Sequence, residues 1–184
     1  RETEFRLTLA WVMGFDNQSM EFHEALKKLV GDQEPLVRRN AALALVRFND
    51  PSGRSEVLAM LSTYPVRAPA GGMIASSLKE EAEVTRGTLL ARIQAPDGKI
   101  VEIRSPLPGR ISKILKPNGA QVSSGDEVID LNSDEASVYE ALRALAFIGT
   151  KEDLTLIQSY TTSSSDRVRQ QAQLTINAIQ QRAN

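Results

Sequence analysis

The sequence contains no cysteine, a single histidine (His23) and no excess of charge of either sign. The absence of cysteine excludes disulfides, thiol catalysis, zinc fingers and cysteine-ligated iron–sulfur clusters. One histidine also argues against a Ser-His-Asp triad or a multi-histidine metal site. Nucleic-acid-binding surfaces usually carry a basic excess, whereas 22 Lys and Arg here face 23 Asp and Glu, so no nucleic-acid partner is expected. The apolar runs are shorter than the roughly 18 residues that span a bilayer, and we expect no membrane insertion.

Helix-breaking residues are concentrated in the middle of the chain. Six of the eight prolines and seven of the eleven glycines lie between residues 65 and 125. Such clustering marks frequent turns, and the flanking stretches carry Leu, Ala, Arg, Glu and Gln at helical spacing. We therefore predict three segments, helical over residues 1–65, β-rich over 66–133 and helical again over 134–184.

The helical flanks repeat one apolar pattern. Its clearest copy starts at Val37, just after Pro35, and has the i, i+4, i+7, i+8, i+11 spacing of one helix face. Complete or shorter copies start at Val168, Val138 and Leu7. Shorter amphipathic helices alternate with these copies, and a single helix pair is too small to bury its own apolar face. The pattern predicts helix pairs that stack on one another.

Residues 32–42 (DQEPLVRRNAA) and 165–172 (SDRVRQQA) resemble the second-helix signature of HEAT repeats, an acidic or proline-containing turn followed by Val-Arg and small residues. HEAT-like repeats also occur in phycobilin lyases. The resemblance implies a short α-solenoid, in which the Val-Arg arginine pairs with an acid of a neighbouring turn. For Arg38 the available acids are Asp16 and Asp50.

The spacing of the copies predicts an insertion. The interval from Val138 to Val168 fits one repeat of roughly 30–45 residues, whereas the interval from Val37 to Val138 is too long. We infer that residues 66–133 are a domain inserted between the two helices of one repeat, where the chain ends lie close together.

The middle segment has short runs with alternating apolar and polar residues, separated by turn sequences. Runs of this length and punctuation predict a small barrel or sandwich. The runs are 89–93, 100–103, 111–115 and 127–131.

Residues 104–131 resemble the biotinyl/lipoyl-like half-motif, Ser/Ala-Pro-x-x-Gly followed by a strand and Gly-x-x-Val-x-x-Gly-x-x-Val/Leu, and residues 82–93 carry a fainter copy. Two such halves form the flattened barrel-sandwich of biotin carriers, lipoyl domains and membrane fusion (periplasmic adaptor) proteins. The fold class we expect is multi-domain α+β, a short HEAT-like α-solenoid interrupted by a small all-β barrel-sandwich domain.

Carrier domains of this kind bear a modified lysine at the hairpin that joins their halves. Here Lys99 follows the Asp97-Gly98 turn, one residue out of register and without the neighbouring residues typical of carriers. A lipoyl or biotin carrier modified at Lys99 is therefore the alternative hypothesis. The main hypothesis is an unmodified domain without a cofactor.

The main hypothesis is a non-enzymatic scaffold or adaptor with protein partners. By resemblance to membrane fusion proteins, it places the chain in a bacterial envelope or transport assembly and favours the envelope or periplasm over the cytoplasm. The predicted protein-binding residues are Pro106, Leu107, Pro108, Gly109, Asn118, Gly119, Arg39 and Arg47. A third hypothesis, an enzyme or maturation factor by analogy with phycobilin lyases, has few polar candidates, namely His23, Glu80 and Glu81.

Overall fold

The computed structural model describes residues 2–182, and within them it has seven α-helices and eight β-strands, which confirms the mixed α+β class. The helices are α1 Glu2–Met13, α2 Met20–Leu29, α3 Pro35–Val46, α4 Arg54–Ala59, α5 Glu135–Ile148, α6 Leu154–Gln158 and α7 Asp166–Arg182. The strands are β1 Tyr64–Arg67, β2 Gly72–Ala75, β3 Glu83–Val84, β4 Leu89–Gln94, β5 Ile100–Arg104, β6 Gly109–Ile114, β7 Gln121–Val122 and β8 Glu127–Ser133.

The chain divides into two compact units. Ser62–Asp134 forms one and holds all eight strands, and the helices on both sides of it in sequence form the other. We refer to them as the β unit and the helical unit.

In the helical unit α1 packs on α3, α3 on α5 and α5 on α7, while the shorter α2, α4 and α6 pack against these helices. Helix α3 begins at Pro35, whose missing N–H costs nothing at the first helical position. Val37, Ala41 and Leu45 of its apolar stripe are fully buried. The main core contains residues from before and after the β unit, among them Val57, Leu142 and Ile179.

The two Val-Arg helices, α3 and α7, make the same local contact. In each, the valine is buried and the arginine donates from Nη1 to the carbonyl oxygens five and six residues before it. The acceptors are Gln33 and Asp32 for Arg38 (3.1 and 2.9 Å), and Ser164 and Ser163 for Arg169 (3.1 and 2.6 Å). The arginine thus fastens the turn that precedes its own helix.

The expected acid partners of Arg38 were wrong. Its Nε lies 2.7 Å from Oε1 of Glu56, on α4. Asp50 is instead bound to His23 at 2.6 Å, and Asp16 accepts a hydrogen bond from the amide of Gln18. Asp16 lies in the turn between α1 and α2, and Asp50 caps the short turn between α3 and α4 by accepting from the backbone amide of Ser52 at 2.7 Å. Arg38 pairs instead with the acid on α4.

Arg54 and Asp153 join the two sequence segments of the helical unit. Nη2 of Arg54 lies 2.5 Å from Oδ1 of Asp153 and donates to the hydroxyl of Thr150 at 2.9 Å. Asp153 is 5% exposed and also accepts from the amide of Thr150 at 2.8 Å. The two segments are also linked by a hydrogen bond, which the hydroxyl of Tyr160 donates to the carbonyl of Leu61 at 2.7 Å. Burial raises the pKa of this tyrosine.

The β unit consists of two four-stranded antiparallel sheets with the orders β1-β8-β6-β3 and β5-β4-β2-β7. The two orders correspond strand by strand: β1 takes the place of β5, β8 that of β4, β6 that of β2 and β3 that of β7, so each strand matches the one four positions away in sequence. The unit is therefore built from two equivalent halves, β1 to β4 and β5 to β8.

The backbone contacts of the two halves match residue by residue. The amides of Gly87 and Gly125 donate to the carbonyls of Ser105 and Ala68 at 2.7 and 2.8 Å, and Arg104 and Arg67 donate to the carbonyls of the same two glycines at 2.9 and 3.0 Å. Only glycine fits at positions 72 and 109, because a Cβ atom there would lie 2.2 Å from the carbonyl oxygen of Gln94 or Asn132, respectively, on the adjacent strand. The first half therefore starts near Arg67, ahead of the copy at 82–93 that the sequence suggested.

We predict that Arg54→Ala lowers the free energy of unfolding of the helical unit by about 2–3 kcal/mol, because it leaves the buried Asp153 carboxylate without its cation. Chemical denaturation of the variant measures this. Lys27→Ala is the control, because its pair with Glu24 is exposed and should be worth less than about 0.5 kcal/mol. Equal losses in the two variants would contradict the prediction.

A pH dependence follows from Asp32, which accepts from Arg6 Nε at 2.7 Å and from the amide of Glu34 at 2.9 Å. Burial raises the pKa of Asp32, but these hydrogen bonds and the charge of Arg6 outweigh it and hold the pKa below its ordinary value. The stability from this carboxylate is therefore complete above the unfolded-state pKa of about 3.9 and is lost as the pH falls through the lower folded-state value.

We accordingly expect Asp32→Asn to lower the Tm at neutral pH, with a difference from wild type that is constant above about pH 5 and narrows toward about pH 2. Thermal unfolding across this range measures it. A difference that stays constant down to about pH 2 would show that the ionised carboxylate contributes nothing.

Candidate functional site

Lys99 lies in the hairpin between β4 and β5, which joins the two halves of the β unit. The hairpin is closed by a hydrogen bond from the Ala95 amide to the Lys99 carbonyl at 2.9 Å, and Gly98 supplies the positive φ of 82° that the turn requires. The Lys99 side chain is 80% exposed and its Nζ lies 2.8 Å from Asp97, whose pKa this hydrogen bond lowers. The amine is thus accessible but ion-paired.

The predicted contact residues in the β-unit turns are only partly exposed. Leu107 is 2% exposed and Gly109 is buried, so only Pro106 and Pro108 present some surface in that turn. Asn118 and Gly119 are exposed, but the side-chain oxygen of Asn118 accepts from the amide of Ser76 at 3.0 Å. Burial and this internal hydrogen bond reduce the number of side-chain groups in these turns that are available to a partner.

Pro106 also lines a recess of about 550 Å³ in the β unit. Equivalent residues of the two halves line it, Arg67 with Arg104 and Pro69 with Pro106. Each of these arginines has a carboxylate partner, since Arg67 lies 2.5 Å from Glu127 and Arg104 lies 2.6 Å from Glu102. Glu102 is shared with Arg92, whose Nε lies 3.5 Å from it.

The two predicted arginines of the helical unit have different surroundings. Arg39 is 3% exposed, so its side chain is not offered to an outside partner. Arg47, just after α3, is exposed and lines a groove of about 370 Å³. Of the two, only Arg47 belongs to a candidate binding surface.

This groove, which we call the helical groove, crosses α1, α3 and α5. Its lining combines apolar and charged groups: Trp11, Gly14, Asn40, Leu43, Ala44, Val46, Arg47, Glu140, Arg143, Ala144 and Phe147. Trp11 and Phe147 are 60% and 68% exposed, unusual values for large aromatic side chains. Exposed apolar surface with a polar rim is typical of interaction sites.

Aromatic contacts hold one end of the groove. The rings of Trp11 and Phe15 meet edge to face at 4.6 Å, and the guanidinium carbon of Arg47 lies 4.7 Å from the centre of the Phe15 ring. Arg47 also donates to the carbonyl of Gly14 at 3.3 Å. At the α5 side Arg143 pairs with Glu140 at 3.1 Å.

Sequence reasoning missed Phe147 and Arg143 as groove residues. The signal for Phe147 was a large aromatic residue outside the apolar stripe of its own helix, where a polar residue is expected. Arg143 carries no local signal, because it becomes a groove residue only when α5 packs on α3.

The residues weighed for catalysis do not form one site. His23 stacks on Phe48 and binds Asp50 in the helical unit, whereas Glu80 accepts from the amide of Ile114 and Glu81 pairs with Arg110 in the β unit. Across residues 2–182, no group of three or more His, Asp or Glu side chains could hold a metal ion.

None of the helices within residues 2–182 combines the length and the apolar character needed to cross a membrane.

No protein-family model and no curated protein sequence matches the chain. Among solved structures it is similar to the product-bound and apo forms of the ectoine utilization protein EutE (DoeB) from Ruegeria pomeroyi, at 29% and 30% identity and TM-scores of 0.34 and 0.35. These matches cover 38% of this chain and 22% of EutE. A single-chain, multi-domain long-chain acyl-CoA carboxylase is similar at 19% identity and a TM-score of 0.36, over 52% of this chain and 10% of that one.

The chain thus spans less than a quarter of each of these proteins. Because the TM-scores are below 0.5, the similarity assigns neither the fold nor the activity of those proteins to this chain.

Proposed function

We propose that the protein is a non-enzymatic adaptor that binds a protein partner in the helical groove and carries the β unit into the same assembly. The observation that carries this proposal is the exposure of Trp11 and Phe147 over one groove, at 60% and 68%. Burying aromatic side chains of this size is a large part of the binding energy at protein interfaces.

The finer architecture we propose for the helical unit is a short HEAT-like α-solenoid. The identical turn contacts of Arg38 and Arg169 support it, as does the succession of α1, α3, α5 and α7. Stacked helix pairs present continuous grooves, which solenoid proteins use for binding. The fold alone does not name the partner.

For the β unit we propose a barrel-sandwich of the biotinyl/lipoyl-like type, inserted into one helical repeat over about residues 66–133. The interchange of the two strand orders between the halves supports this assignment. By resemblance to membrane fusion proteins, we extend the proposal to a role in a bacterial envelope or transport assembly.

Site-specific photo-crosslinking tests the adaptor proposal. With a benzophenone amino acid in place of Phe147, native cells should yield a discrete crosslinked protein. The same probe in place of Leu174 should not, because Leu174 is 60% exposed on α7 and does not line the groove.

Adding Trp11→Ala to the Phe147 probe should reduce the crosslink at least tenfold, because it removes the other exposed aromatic ring of the groove. Crosslinks of equal yield at the two probe positions, or none at position 147, would contradict binding in the groove.

A second candidate function, a carrier modified at Lys99, is favoured by one observation: its exposed amine lies in the hairpin that joins the two halves. The adaptor proposal predicts that protein purified from its native cells has the intact mass of the bare chain. An added mass equal to a lipoyl or biotinyl group, absent from the Lys99→Arg variant, would establish the carrier instead.

A further inference from the structure

The charges around the helical groove do not balance. Three charged side chains line it, and two of them, Glu140 and Arg143, pair with each other at 3.1 Å. Arg47 has no such partner, since its contacts within residues 2–182 are a carbonyl and an aromatic ring rather than a carboxylate. The groove therefore has one uncompensated positive charge, at its α1 side.

Arg47 is held in place before any partner arrives. Its guanidinium lies over the Phe15 ring at 4.7 Å and uses Nη1 to donate to the carbonyl of Gly14. A guanidinium has five N–H donors in a rigid fork that matches a carboxylate. Because the side chain is exposed and already ordered, binding a carboxylate would lose little additional side-chain entropy.

The rest of the groove is suited to apolar side chains. Trp11 and Phe147 line the groove together with small and aliphatic residues, among them Leu43, Ala44 and Ala144. The groove volume of about 370 Å³ lies within the range of roughly 300–1,000 Å³ that is common for ligand pockets. A segment with a large apolar residue could bury it here.

We propose that the occupant of the helical groove is an acidic amphipathic segment of a partner protein, with a large apolar residue between Trp11 and Phe147 and an Asp or Glu on Arg47. This inference rests on the proposed function and specifies the partner's chemistry. The charge complementarity at Arg47 is what selects an acidic segment over a basic one.

The probe for the experiment is built into the protein, because Trp11 is its only tryptophan and lines the groove. Two synthetic peptides of equal length and identical apolar residues are titrated against the full chain. One has only Asp and Glu at its polar positions, and the other has only Lys and Arg. Trp11 emission and its quenching by acrylamide are followed in each titration.

The acidic peptide should shift Trp11 emission to shorter wavelength, protect it from acrylamide and bind at least tenfold more tightly than the basic peptide. Arg47→Glu should reverse this preference. Lys28→Glu, the same charge change at an exposed position of α2 outside the groove, should leave it unchanged. Circular dichroism verifies folding, and Arg47→Lys should retain a reduced preference for the acidic peptide.

Equal binding of the two peptides would overturn the acidic assignment while leaving the groove as a binding surface. Binding of neither peptide at millimolar concentration would also overturn it, and the crosslink at position 147 then decides separately whether the adaptor proposal survives. A shift of Trp11 emission that grows with protein concentration in the absence of peptide would show that the groove binds a second copy of this chain instead of a partner protein.

Discussion

The ion pair between Arg54 and the buried carboxylate of Asp153 links the two sequence segments that make up the helical unit. It joins α4 to the turn before α6, two elements that the whole β unit separates in sequence. Asp153 is almost inaccessible to water, so its carboxylate is tolerable only with the guanidinium and the Thr150 groups in place. The apolar core that the two segments share buries most of the apolar surface, and the ion pair adds a directional link between them.

The β unit meets the main condition for interrupting such a unit, since its two ends are neighbours. Tyr64 of β1 pairs with Leu131 of β8, and the side chains of Thr63 and Asn132 are hydrogen-bonded at 3.0 Å. Because the β unit begins and ends at adjacent points, closing it as a loop between the two segments of the helical unit costs little conformational entropy. The doubled topology explains this closeness, because the first and last strands lie side by side in one sheet.

Sequence periodicity predicted what is determined locally. The Val37 stripe and the strands at 89–93 and 127–131 have the expected periods, and they form a helix and two strands. Sequence periodicity could not predict the exposure of side chains whose surroundings come from helices distant in sequence. Arg39 and Arg47 are equally basic in sequence, yet only the packing of neighbouring helices buries the first and exposes the second. The start of the first β half was missed although residues 68–72 (APAGG) match the Ser/Ala-Pro-x-x-Gly motif, because the next part of that motif has Glu81 where the second half has Gly119.

The most direct test of this account is to replace Ser62–Asp134 with a short glycine-serine linker and to measure far-UV circular dichroism and denaturant unfolding. We predict a helical protein with one cooperative unfolding transition, which still loses stability on Arg54→Ala. A chain without helical signal or cooperative unfolding would show that the flanks do not form one unit, and the groove assigned to them would have no foundation.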